Sequence, residues 1–113
     1  MGMEWSEALN AAPTRIVGNN ERRRDMATYI VTYDLNKEAK RPPLLEKIKD
    51  EFAWARLSES SYAIATAMSV EQVYSVLKPM LDDNDNLYVI PLSRPYAGFG
   101  PPAVNDWLEQ HLP

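Results

Sequence analysis

Two stretches of this chain are apolar on both sides of an extended strand, and they narrow the possible folds more than any other feature. In residues 27–35 (ATYIVTYDL), Tyr29, Val31 and Tyr33 alternate with Thr28, Ile30 and Thr32. In residues 87–92 (LYVIPL), Leu87 and Val89 alternate with Tyr88, Ile90 and Leu92. β-Branched and aromatic residues suit a pleated backbone. A strand without a plainly polar side needs cover on both.

The residues between supply part of that cover. Pro42-Pro43 suits the first turn of a helix, where no amide donor is needed. Leu44, Leu45, Ile48 and Phe52 then share one helical face, opposite Glu46, Lys47, Lys49, Asp50 and Glu51. Residues 53–57 and 61–67 read as two strands around a Ser58-Glu59-Ser60 turn. Ser69, with Gln72 three positions on, predicts a capping box and a second helix. Its buried stripe is Val70, Val73, Val76, Leu77, Met80 and Leu81. Asp82–Asn86 (DDNDN) is a turn. Pro91 cannot donate to a ladder, so the last strand belongs at an edge or ends there. A Gly/Pro-rich linker (93–102) leads to a final helix (103–112) packed through Val104, Trp107, Leu108 and Leu112.

The order βαββαβ plus a helix predicts an α+β, ferredoxin-like domain over residues 26–113, with an antiparallel four-stranded sheet ordered 4-1-3-2. Two helices cover one side of it. The other needs the C-terminal segment, a second subunit, or both, because a bare apolar sheet is adhesive. A homodimer is the expected answer. Residues 1–25 differ: Pro13, Gly18 and Asn19-Asn20 break any period, and Arg22-Arg23-Arg24 between Glu21 and Asp25 reads as a solvated leader. Met26, just before the first strand, reads as a start, with the leader an upstream extension.

Charge and composition exclude several classes. The net charge is −4. Residues 1–25 hold four charges of each sign, which leaves the domain eight basic against twelve acidic side chains. Strong autonomous binding of nucleic acid is disfavoured, since phosphate contacts need a basic face. Without cysteine there is no disulfide, thiolate metal site or Cys nucleophile. No apolar run reaches the ~18 residues of a membrane span, and no signal-like stretch opens the chain, so a cytoplasmic protein is expected.

One constellation points to chemistry. In the 4-1-3-2 order the end of the first strand lies beside the start of the fourth. Asp34 then shares a sheet edge with Asp82, Asp83 and Asp85, and Glu59 opens on the same edge. Hard carboxylate oxygens with room for water suit Mg²⁺, which can generate a hydroxide and neutralise a phosphodiester. The plainer reading is a solvated Asp/Asn turn. It is not an EF-hand, because Leu87 replaces the turn glycine and Ser93 the final Glu. His111 reads as a helix-end residue, no nucleophile elbow is visible, and the glycines (2, 18, 98, 100) form no phosphate loop. Trp54, Tyr62 and Tyr88 either stack on bases or, the favoured reading, pack in the core or a dimer interface. Tyr96 and Phe99 are expected to pin the linker to the sheet.

A first strand ending in Tyr33-Asp34, the Ser60-Ser61-Tyr62 start of the third and the run DNLYVIPL (85–92) resemble the small bacterial SinR-like proteins. Tyr96-Ala97-Gly98-Phe99-Gly100 followed by Asp106-Trp107-Leu108 is similar to that family's tail. The group is distantly similar to the small CRISPR adaptation subunit and to VapD-like ribonucleases. The resemblance implies a ferredoxin-like homodimer. It also matches Asp34, by position, to an Asp proposed to bind a divalent metal, while the basic residues usual after that strand are sparse.

The favoured expectation is a dimeric interaction module without enzymatic activity, near nucleic acid or CRISPR-type defence, with a second protein as a further partner. The alternative is a Mg²⁺-dependent endonuclease, an endoribonuclease first, with Asp34 catalytic at the dimer interface and Asp34, Asp83 and Asp85 as metal ligands. A small-ligand sensor is a third reading.

Overall fold

The structure, a computed structural model, describes residues 26–113; the readings of 1–25 and of Met26 as a start concern residues outside it or its first position. Strand β1 (Ala27–Asp34) is followed by helix α1 (Arg41–Glu51), strands β2 (Ala53–Ser58) and β3 (Ser61–Thr66), and helix α2 (Val70–Leu77). Strand β4 (Asn86–Leu92) and helix α3 (Pro102–His111) complete the fold. The four strands form one open antiparallel sheet, ordered β2-β3-β1-β4.

Local signals place the helices. Lys40 precedes α1, whose first turn holds Pro42 and Pro43, and a 3-10 turn, Glu38–Lys40, occupies part of the expected polar loop. At the start of α2 both bonds of the capping box form, Gln72 N–H to Ser69 Oγ at 3.1 Å and Ser69 N–H to Gln72 Oε1 at 2.8 Å. The α-helix stops at Leu77, and the stripe continues through a 3-10 turn, Lys78–Met80, because Pro79 cannot extend α-helical bonding. Met80 and Leu81 still pack on the core.

Register separates the two sides of the sheet. Tyr29, Val31 and Tyr33 align with Ile64 and Tyr62 of β3 and with Val89 and Leu87 of β4. This side faces α1 and α2, and its core includes Leu44, Ile48, Phe52, Trp54, Val73 and Leu77. Full burial of each such side chain contributes about 1.5–3 kcal/mol.

The opposite side is built differently. Ala53, Ala55, Ala63 and Ala65 pave β2 and β3, and Val104 and Trp107 of α3 lie on them. Small side chains let the helix approach closely. Arg94 fixes its C-terminal end: its backbone N–H donates to Pro113 O at 2.9 Å and its Nε to Leu112 O at 3.1 Å. Thr28 Oγ1 donates to His111 O at 2.7 Å. A cation and two donors thus satisfy carbonyls that a helix end leaves unpaired.

The linker departs from expectation. Tyr96 Oη donates to Glu109 Oε2 at 2.9 Å, so it ties the linker to α3 rather than to the sheet. Phe99 pins nothing and is fully exposed. A side chain added at Gly98 or Gly100 would meet no atom within 4 Å, so both residues flanking Phe99 border open space.

Candidate functional site

β1 ends beside the start of β4, with Asp34 opposite Asn86. The acidic turn therefore lies at the same sheet end as Asp34, but two of its three carboxylates, those of Asp82 and Asp85, are engaged. Asp85 Oδ1 accepts the Asn36 N–H at 2.7 Å. Its Oδ2 accepts the Asp82 N–H at 2.9 Å and Lys40 Nζ at 2.8 Å. The Asp85 side chain has no solvent-accessible surface left. Lys40 first, then the two amides, hold its carboxyl down at about 2. Asp82 also accepts from Lys40, and takes the Asn84 N–H at 2.8 Å. Lys40 pulls its carboxyl below the usual range, and the two aspartates raise the Lys40 ammonium in return. The cluster is a closed ion-paired latch between the β1–α1 loop and the turn before β4.

Asp34 and Asp83 stay outside this latch, both exposed. Asp34 follows Thr32 by two positions and so projects on the α3 side of the sheet. Among the described residues, no group of three or more His, Cys, Asp or Glu side chains is arranged to hold a metal ion. Sheet topology brings Asp34, Asp83 and Asp85 to one end without converging their carboxylates. Glu59 reaches that end through its backbone: Glu59 O accepts Tyr33 Oη at 3.0 Å and a guanidinium N–H of Arg41. Burial pushes the Tyr33 hydroxyl up to about 12, so it serves as a donor.

Sequence reasoning missed Lys40 and Arg41, which bind the two acidic loops of this sheet end. One signal was available. They form the sole pair of adjacent basic residues in 26–113, and they fall between the first strand and the first helix.

The other feature of note is the part of the sheet that α3 leaves uncovered. Ile30 and Ile90 are aligned, as are Thr32 and Tyr88. Tyr88 is 62% and Ile90 49% exposed, and Ile30 and Thr32 are half-buried. This apolar strip runs to the outer edge of β4. Trp54 and Tyr62, by contrast, are buried on the helix-covered side with ring centroids 5.6 Å apart, beyond reach of a base.

An open groove of about 500 Å³ lies between the linker and α3. Its polar walls are satisfied internally: Arg94 and Tyr96 bond to Glu109, and Asn105 Nδ2 donates to Gly100 O at 3.2 Å. No set of polar groups is directed into it for a ligand.

The class these features define is a small α+β domain with an open antiparallel sheet, its acidic end latched by a lysine and one side half covered. No family model and no curated protein matches the sequence. No helix among the described residues is long and apolar enough to cross a membrane.

Proposed function

We propose that this chain is a ferredoxin-like interaction module that works as a homodimer in the cytoplasm, in a nucleic-acid or CRISPR-type defence setting of the kind its SinR-like resemblance implies. One observation carries the dimer: Ile30, Tyr88 and Ile90 form an apolar strip on a sheet side that α3 covers only in part. An exposed apolar patch continuous with a sheet edge favours a protein partner. The strip lies on a domain of net negative charge, which favours protein over phosphate backbone. Size-exclusion chromatography with light scattering tests it. A mass twice that of the chain at micromolar concentration is expected, and a monomeric mass throughout removes the proposal.

A second reading, a Mg²⁺-dependent endoribonuclease, is favoured by the exposure of Asp34 at the end of β1. Two exposed aspartates, Asp34 and Asp83, remain at that sheet end for a hydrated cation, whereas Asp85 would first have to leave Lys40. Labelled RNA and DNA are incubated with Mg²⁺ or Mn²⁺ and either wild type or Asp34→Ala. Cleavage lost in the variant supports this reading; equal cleavage by both, or none by either, eliminates it.

A further inference from the structure

The sheet register fixes which way the backbone of the edge strand points. Tyr33 donates its backbone N–H to Ser60 O at 3.0 Å, on the β3 side. In antiparallel strands a residue's N–H and C=O point to one side, and that side alternates along the strand. Tyr29 and Val31 therefore also turn to β3, while Thr28, Ile30, Thr32 and Asp34 turn to β4. Their partners Leu92, Ile90, Tyr88 and Asn86 turn back to β1. Leu87, Val89 and Pro91 are left facing out from the edge, where no strand follows β4 among the described residues. Pro91 thus occupies an outward position, where its missing N–H breaks no ladder within the sheet.

We propose that this edge pairs with the same edge of a second copy, antiparallel and two-fold, with Val89 opposite Val89; the inference rests on the dimer proposed above and specifies its joint. Three features select the partner and the register. Every outward donor is used: Val89 N–H meets the other copy's Val89 C=O, and Leu87 N–H meets its Pro91 C=O. The full strand Asn86–Leu92 overlaps itself, which sets exposed Tyr88 against exposed Ile90 twice, an aromatic–β-branched pair on the uncovered side. β4 carries no charge, unlike the acidic domain around it, and the two-fold axis sends the two acidic turns to opposite ends of the joint, so they do not face each other. A register centred on Tyr88 would shorten the overlap and set Ile90 against Asn86.

The arrangement has a consequence for the second reading of function. Across the four central strands of the joined sheet, the two Asp34 residues lie about 25 Å apart, from ~4.8 Å per strand spacing and ~3.4 Å per residue. No single cation or phosphate spans that gap, so this dimer and a shared Asp34 site exclude each other.

The chain has no native cysteine, so engineered ones report cleanly. Tyr88→Cys and Ile90→Cys variants of the full chain, distinguishable by mass, are oxidised separately and as a mixture at a concentration where wild type is shown to be dimeric. Residues directly opposite without mutual hydrogen bonds lie about 4.5 Å apart at Cα, so the mixture is expected to cross-link roughly tenfold faster than either variant alone. Faster linking by Tyr88→Cys alone, or no preference in a protein that is still dimeric, overturns the edge joint while leaving the dimer intact. Hydrogen exchange on wild type needs no variant: the Leu87 and Val89 amides are expected to be protected only at dimeric concentrations. Equal protection of both amides at every concentration means that another part of the chain occupies the edge, and refutes the joint. A monomer at all concentrations refutes joint and dimer together.

Discussion

Lys40 Nζ lies 2.8 Å from Asp85 Oδ2, across 45 positions of sequence. That bond makes the Asp85 carboxylate a clasp between two loops.

Removing the clasp leaves two backbone amides, Asn36 and Asp82, without their acceptor. Asp85→Ala is expected to lower Tm by several degrees, since it removes both of these hydrogen bonds and the Lys40 pair from a side chain that has no exposed surface. Lys40→Ala is expected to cost less, because it leaves both amide bonds in place. Thermal unfolding followed by circular dichroism checks the ranking.

The same clasp sets an acid limit. The Asp85 carboxyl is depressed from 3.8 to about 2 in the folded state, so its contribution is complete above 3.8 and lost as pH falls through about 2. Wild type is expected to lose stability across that interval, and Asp85→Ala to show a shallower fall there. Urea midpoints across the interval test it.

The alanine floor beneath α3 makes a steric prediction. Ala63 is fully buried under Val104 and Trp107. Ala63→Leu is expected to destabilise by about 1–3 kcal/mol through overpacking. It also lifts α3, so Trp107 becomes more wetted, read as a red shift in tryptophan emission.

Two helix positions probe the covered side. Ser69→Ala breaks the capping box of α2 and is expected to cost about 1 kcal/mol. Ile48→Ala empties a fully buried site against the sheet and is expected to cost about 2–5 kcal/mol. Denaturant unfolding should return the two in that order.

Much of this architecture was legible because local chemistry and tertiary context agree. The alternation in β1, the stripe Val73–Leu77 and the Ser69/Gln72 pair each specify one local structure. Pro91 marked the edge strand from sequence, and the register shows why it is tolerated there. What was not legible has a common cause. Phe99 looks like an anchor by residue type, yet it is fully exposed, and the glycines on either side of it border open space. Asp34 and Asp85 fall at one sheet end, but strand alternation sends Asp34 to the α3 side, and Lys40, 45 positions from Asp85, claims the other carboxylate. Topology brings residues to an edge; only the paths of side chains decide which of them meet.

Sedimentation equilibrium of wild type and Ile90→Lys, run together over nanomolar to micromolar concentrations, puts the exposed strip of β4 to the test. Wild type should associate to a dimer, and the lysine, set against the other copy's Tyr88, should weaken association roughly tenfold or more, as loss of a central apolar contact does. Equal association of the two proteins, or none by wild type, would show that β4 is not where a second copy binds.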